Sequence, residues 1–363
     1  MTTTARPPAG RLYGLEWIRA FAALAVVLYH AEAGTHLHLV AGRVDPGVQH
    51  PWFGYGWIGV PVFFALSGYV VCHSLQQRQR SGPEFLAARF WRLMPTYAVL
   101  TLVFLLLLSV GSSGAPLSTE KLLSSLVFGF GSNQEVYLYV AWTLFWEAIF
   151  YCLAAPLAPR FPTLPARPVL LAFVGMAAAT WALRTPGLLS QTLTYITAFL
   201  CGAAVWAALR PAQPGPARPW QGPGRLIILL IGLAWMASNP TDRPFALTAA
   251  ATGLLILALV VVERLRPACF RCGPVIELGK LSYSLYLVQV ITIPLVLQPL
   301  SGLLGPSILA QVPVPLLKIG GIALILLVSL IAAAISWHLL EMRLSPWLAM
   351  RWQRSFQRLQ PRT

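Results

Sequence analysis

Long apolar runs separated by short polar segments recur along nearly the whole chain. They lie near residues 15–31, 57–75, 93–110, 140–158, 168–184, 189–209, 225–238, 244–262, 281–300 and 316–340. Runs of roughly 17–25 apolar residues are long enough for a helix to cross a hydrocarbon core. The period-two alternation that marks a membrane strand is absent. The pattern predicts an all-α polytopic membrane protein with about ten transmembrane helices. No polar stretch is long enough to fold separately, so residues 1–363 read as a single membrane domain. Its core spans about 12–348, and a basic tail covers 349–363.

Composition sharpens this picture. Only 10% of the residues are charged, 57% are hydrophobic and the mean hydropathy is +0.68. A soluble domain carries about 25% charged residues. The net charge of +15 raises nucleic acid as a partner, but the placement of the charges argues against it. With the N-terminus inside, 20 of the 26 Lys and Arg residues fall on inner segments, five fall outside, and Arg19 lies within the first run. That is a strong positive-inside bias. It predicts that both termini are cytoplasmic, in a multi-pass protein of the inner (plasma) membrane whose partners include membrane lipids. The end of the chain, Arg351-Trp-Gln-Arg354-Ser-Phe-Gln-Arg358, reads as an interfacial tail attracted to anionic lipid. Met1–Arg11 shows no signal-peptide cleavage pattern before the first run.

The segments between the runs complete the outline. Arg210–Gly224, rich in Pro and Gly, reads as a flexible cytoplasmic connection. The stretches Glu32–Trp57 and Gly111–Tyr139 read as long outer loops, the second with Leu122–Phe130 able to dip into the interface. Cys72, Cys152 and Cys201 lie within runs and behave as small hydrophobes. Cys269-x-x-Cys272 lacks the two further ligands that zinc requires. His36, His38 and His50 on the outer side are loop histidines, and no metal is expected there.

Polar side chains inside hydrocarbon cost free energy, so each one within a run is a candidate for function. In the first run Glu16 and Arg19 stand three apart and can pair on one helix face. His30 follows Arg19 by eleven residues, about 16 Å along the axis and nearly on the same face. One reading places an anion-binding group near the inner surface and a proton-transfer group near the outer one. The other has Arg19 snorkelling inward and His30 capping the helix. Ser67-Gly68-Tyr69 sits in mid-run, where Gly68 allows either close helix packing or approach of a ligand to the backbone. Arg89 and Arg92, three apart, suit bidentate phosphate binding as well as topology signalling. Glu147 is the lone carboxylate well inside the fourth run, flanked by Trp142 and Trp146 four apart, and His30 is its expected partner. Ser282, Tyr283 and Tyr286 are candidates to line an inner cavity, although an aromatic belt accounts equally for the tyrosines.

Taken in order, these motifs resemble the acyltransferase-3 family of bacterial membrane O-acyltransferases, over Gly14 to about Leu348. The resemblance rests on five stretches. They are Arg19 with Tyr29-His30; Gly59-Val60 through Ser67-Gly68-Tyr69; Arg89-x-x-Arg92 with Pro95; Trp142-Thr143 through Glu147 to Tyr151; and Leu278-Gly279 through Ser282-Tyr283-Ser284-Leu285-Tyr286. Glu16-Trp17 stands where many members have Asp-Gly, Tyr69 where Phe is usual, and Gln289 where a His is common. The resemblance implies about ten membrane helices and acyl-CoA, acetyl-CoA in the simplest case, as the donor substrate, with no permanently bound cofactor. It implies His30 as the essential histidine, and Arg19, Arg89 and Arg92, with Ser67-Gly68-Tyr69, as acyl-CoA-binding residues. Some members carry a soluble C-terminal esterase-like domain; the expectation here is transfer by the membrane domain itself or by a partner.

The fourth-run motif looks most like the branch associated with exopolysaccharide production. The expected acceptor is therefore a hydroxyl of an extracytoplasmic carbohydrate, an exopolysaccharide or a lipid-linked sugar of the cell envelope, and the expected chemistry is O-acetylation. Trp52, Phe53, Tyr55 and Trp57 offer aromatic faces for sugar rings, or an interfacial belt. His30, oriented by Glu147, acts as general base or first takes the acyl group itself. Rival readings are a sugar or lipid transporter or flippase, a non-catalytic membrane sensor, and acylation of a small molecule such as an antibiotic.

Overall fold

The computed structural model describes residues 12–40, 54–77, 79–110, 118–126, 128, 136–183, 187–210, 223–240, 242–266 and 268–359. Among these residues there is no strand. Eight helices are long and apolar enough to cross a membrane, and Ala166–Ala182 and Pro223–Ala237 add two shorter apolar ones. These ten correspond one to one with the predicted runs, so the chain is an all-α polytopic membrane protein.

In chain order the helices are α1 (Tyr13–Thr35), α2 (Gly59–Gln77), α3 (Gly82–Val110), α4 (Thr119–Leu126), α5 (Trp142–Ala154) and α6 (Ala166–Ala182). They continue as α7 (Leu188–Leu209), α8 (Pro223–Ala237), α9 (Arg243–Leu265), α10 (Gly273–Gln311), α11 (Val314–Ser336) and α12 (Ser345–Leu359). Three boundaries depart from the sequence reading. The first run does not end at Ala31: α1 continues to Thr35, and a π-helical turn, His36–Val40, extends it into the expected outer loop. The sequence pattern makes Glu32–Trp57 an outer loop, yet Leu39 and Val40 are buried beside α11. The helix α3 begins at Gly82 rather than near 93, because Ser81 and Glu84 form a capping box: Ser81 N–H donates to Glu84 Oε2 at 2.8 Å and Glu84 N–H to Ser81 Oγ at 3.4 Å. The basic tail is helical, reached from α11 through a π-helical segment, Trp337–Leu344. Within α10, Gly305 has φ 68°, a left-handed conformation open to glycine, and it interrupts the helix just before Pro306.

The chain divides into two compact units. The first comprises Met1–Ala22, Pro61–Val71 and Pro165–Lys280; the second comprises Ala23–Val60, Cys72–Leu164 and Leu281–Thr363. In the first, α6 packs on α7 and α8, and α9 packs on both of those. The α7 helix is buried along most of its length. Phe64 stacks on Phe199 with centroids 4.5 Å apart and meets Tyr195 edge-on at 5.7 Å. Several polar groups in this unit serve helix ends. Glu263, buried near the end of α9, accepts from the Tyr13 and Gly14 amides at 2.6 and 2.9 Å and so caps the first turn of α1. Asp242 caps α9 by accepting from Phe245 N–H, and burial holds its carboxyl above the usual value while that amide pulls it back. Arg264 and Arg225 donate to the Leu209 and Arg210 carbonyls at the end of α7, each at 3.0 Å.

In the second unit, α3 packs against α12, α5 and the turn Ala155–Arg160, while α11 packs on His36–Val40. Pro95 inside α3 removes a backbone donor from that helix. Near it, the Tyr283 hydroxyl donates to the Leu93 carbonyl at 2.8 Å and ties α10 to α3.

Candidate functional site

The second unit gathers most of the polar side chains singled out in the sequence. Arg89 is 7% exposed, and its guanidinium lies 5.3 Å from the centre of the Phe85 ring and 5.4 Å from that of Tyr151. Its Nε is buried and lacks a hydrogen-bond partner. A buried donor without a protein acceptor costs about 1–3 kcal/mol, which a ligand or water at that position would recover. The Glu147 carboxylate accepts from the Tyr151 hydroxyl one helical turn away. Glu147 attracts the Arg89 charge and Arg92 repels it. On the other side of this group, Ser284 Oγ donates to Glu341 Oε1 at 2.5 Å and lies 2.9 Å from Ser336 Oγ. Glu341, Glu147 and Arg92 all act electrostatically on Tyr283.

A groove of about 950 Å³ opens beside Arg92 between α3, the Trp337–Leu344 segment and α12. Trp91, Arg92, Trp337, Glu341 and Trp352 are among its lining side chains. The Trp91 ring lies 6.5 Å from that of Trp352, and its Nε1 is a second buried donor without a partner.

The polar contacts continue along α5 and α10 away from this group. Thr143, Glu147 and Tyr151 recur every four residues and so share one face of α5. Tyr286 Oη lies 3.0 Å from both Thr143 Oγ1 and the Val140 carbonyl. Gln289, one turn further along α10, is fully buried; its Nε2 donates to the Tyr286 carbonyl at 3.0 Å and its Oε1 lies 3.3 Å from His30 Nδ1. The His30 ring meets Tyr139 edge-on with centroids 5.2 Å apart. One turn of helix away, a cavity of about 570 Å³ is lined by Tyr29, Glu32, His36 and Lys318.

One expectation requires correction. His30 was read as the partner of Glu147, but its hydrogen bond goes to Gln289. The carboxylate instead takes the Tyr151 hydroxyl, because residues four apart on α5 meet directly. Gln289, noted in the sequence only for standing where a His is common, is the partner of His30. Tyr139, Thr143, Tyr151, Ser284 and Glu341 were also absent from the expected site. For Thr143, Tyr151 and Ser284 the signal in the sequence is the four-residue polar stripe of α5 and the run of hydroxyls over 282–286 in α10. Of the expected cavity walls, Trp146 is buried and Trp142 half-buried on α5, and Ser282 is buried on α10.

The remaining candidates belong to the first unit. Arg19 Nη1 lies 3.2 Å from Glu16 Oε2, so the expected pair forms. At Ser67-Gly68-Tyr69 the packing alternative accounts for the glycine. A Cβ on Gly68 would lie 1.8 Å from the Phe199 carbonyl oxygen, and one on Gly202 would lie 1.7 Å from that of Ala65. The bare face of Gly68 is thus filled by the α7 backbone, and Tyr69 is buried. Gly279 plays the same part against the Glu16 carbonyl, where a Cβ would come within 2.4 Å. In the expected aromatic surface, Tyr55 is exposed and Trp57 half-buried, while Trp52 and Phe53, like His50, lie outside the described residues.

The family model described as an acyltransferase domain matches residues 12–339. No curated protein and no solved structure matches the chain. The match covers all ten apolar helices and every expected site residue; Glu341 and Trp352 lie beyond it. The chain belongs to the acyltransferase-3 family and is a membrane acyltransferase.

Proposed function

We propose that this membrane acyltransferase takes an acyl group, acetyl in the simplest case, from acyl-CoA on the cytoplasmic side and passes it to a hydroxyl of an extracytoplasmic carbohydrate. The observation that carries the reading is the line of polar side chains within the second unit. It runs from Arg89 to Tyr151 and Glu147, continues one turn along the same face of α5 to Thr143, and passes through Tyr286 and Gln289 to His30. Buried polar side chains in a membrane helix are expensive unless they serve a path or a reaction.

In this proposal Arg92, which lines the 950 Å³ groove, and the buried Arg89 hold the phosphates of CoA. Two guanidiniums suit phosphate because each offers a planar fork of donors. Glu147 and Tyr151 brace Arg89, so that its charge stays in place when the donor leaves. The pantetheine arm follows the polar line toward His30. There the imidazole removes the proton of the acceptor hydroxyl as the oxygen attacks the thioester carbonyl. The new acyl–oxygen bond forms, the acyl–sulfur bond breaks, and the proton passes from His30 to the departing CoA thiolate. The cavity beside His30, with Tyr29, Glu32, His36 and Lys318, is where the acceptor enters.

The positive-inside bias of the chain supports this sidedness. The exopolysaccharide-like motif of α5 supports a surface glycan or its lipid-linked precursor as the acceptor. The test uses purified protein in lipid nanodiscs, supplied with acetyl-CoA and cell-envelope glycans. Release of CoA thiol, with ester-linked acetyl on the glycan detected by NMR, is expected. Donor turnover that yields only an acylated small molecule removes the carbohydrate; absence of any donor turnover removes the mechanism.

A further inference from the structure

We infer that Gln289 is a positioning residue that holds His30 as the tautomer with its proton on Nδ1 and its lone pair on Nε2. The inference rests on the reading of His30 as the base and adds which nitrogen acts and what selects it.

Gln289 Nε2 donates to the Tyr286 carbonyl at 3.0 Å. A carbonyl only accepts, so this end of the amide must be the amino group. The other end, the oxygen, then faces His30 Nδ1 at 3.3 Å. An amide oxygen also only accepts, so Nδ1 must carry the hydrogen. A neutral imidazole has one N–H, and the lone pair is therefore left on Nε2. Had the amide been free to turn over, it would have matched either tautomer; the Tyr286 carbonyl removes that freedom.

The anchor is itself anchored. Tyr286 is pinned to α5 through Thr143 and the Val140 carbonyl, each at 3.0 Å. Gln289 is fully buried, so water does not compete for its amide. The ring is held from the side by Tyr139 and by its neighbour Tyr29, both with centroids at 5.2 Å. Glu32, His36 and Lys318 line the adjoining cavity with Tyr29, and Glu147 and Tyr151 on α5 and Tyr283 and Tyr286 on α10 are further titratable groups on the neighbouring elements.

An amide differs from a carboxylate in one consequential way. It orients the imidazole without a charge, so it does not trap the imidazolium once the acceptor proton has been taken. The proton is then free to move on to the leaving thiolate.

The test reads the tautomer directly. Protein labelled with ¹⁵N-histidine is studied by solid-state NMR in lipid, and the His30 signals are identified as those missing from His30→Ala. Native His30 is expected as the Nδ1–H form. Gln289→Leu is expected to shift it toward Nε2–H and to lower kcat by about tenfold to a hundredfold, the scale on which partners of a working imidazole act, with KM for acetyl-CoA unchanged. The near-isosteric Gln289→Glu keeps an acceptor but adds a charge. It should retain the Nδ1–H tautomer and move the acid limb of the kcat–pH profile upward by on the order of one pH unit. Native His30 found as Nε2–H, or a tautomer and kcat indifferent to Gln289→Leu, overturns the part given to Gln289. Full transfer by His30→Ala overturns instead the catalytic reading on which that part depends.

Discussion

The two units of the chain use many of their polar groups in different ways. In the first, several charges attend to backbone: buried Glu263 caps α1, half-buried Asp242 caps α9, and Arg264 and Arg225 close the end of α7, while Glu16–Arg19 and Glu277–Lys280 pair within their own helices. Its helices meet through glycine, with Gly68 and Gly202 each set against a carbonyl of the other's helix. In the second, charges and hydroxyls meet one another along the sides of α3, α5 and α10, and buried donors, Arg89 Nε and Trp91 Nε1 among them, are left without a hydrogen-bond partner. A charge spent on a helix end is satisfied by the fold alone. A buried donor left without a protein acceptor is open to one that a ligand or water brings. The proposed chemistry accordingly sits in the second unit.

The sharpest way to break the comparison is His30→Ala. Loss of a general base costs about 10²–10⁴-fold in rate, so transfer should fall to background in a protein that still inserts and purifies as a folded species. Substantial turnover in that variant would take the chemistry away from the outer end of the polar line. The counterpart in the first unit is Gly202→Val. Overpacking of a tight contact costs about 1–3 kcal/mol or more, and here the new atoms would meet the Ala65 carbonyl. A lowered melting midpoint and a poor yield of folded protein are expected, with normal KM for acetyl-CoA in whatever folds; an unaltered midpoint would mean that the glycine crossing is not tight.

Arg89→Lys should have a smaller effect. It keeps the charge and loses the planar fork, so KM for acetyl-CoA should rise about tenfold, or about 1.4 kcal/mol, with thermal stability nearly unchanged. Equal donor affinity in titrations of both proteins would leave Arg89 a topology signal. The smallest effect is expected for Glu263→Gln, which retains one acceptor for the two amides at the start of α1. A loss of about 1 kcal/mol in stability, as for a weakened helix cap, should appear in thermal unfolding with donor turnover intact. A large fall in turnover at unchanged stability would show that the first unit, too, bears on the reaction.

Much of this protein is legible in its sequence, because a membrane imposes a one-dimensional rule. A spanning helix must satisfy its own backbone and turn apolar side chains to lipid, so the ten apolar runs and the all-α class follow from composition along the chain. Pairs within one helix are legible for the same reason: the Glu16–Arg19 contact and the four-residue stripe of α5 depend only on the helical repeat. What a residue meets on another helix is not written locally. That Gly68 is filled by α7 was one of two open readings until the crossing of α2 and α7 decided it. That Glu147 turns to Tyr151, and that the partner of His30 comes from Gln289, 259 residues away, depends on which faces α1, α5 and α10 present to one another. The sequence by itself determined which residues are too polar to lie idle in a membrane. Only tertiary packing decided which of them meet, because partner choice between helices is set by crossing and rotation, and side chains far apart in the chain carry no mark of it.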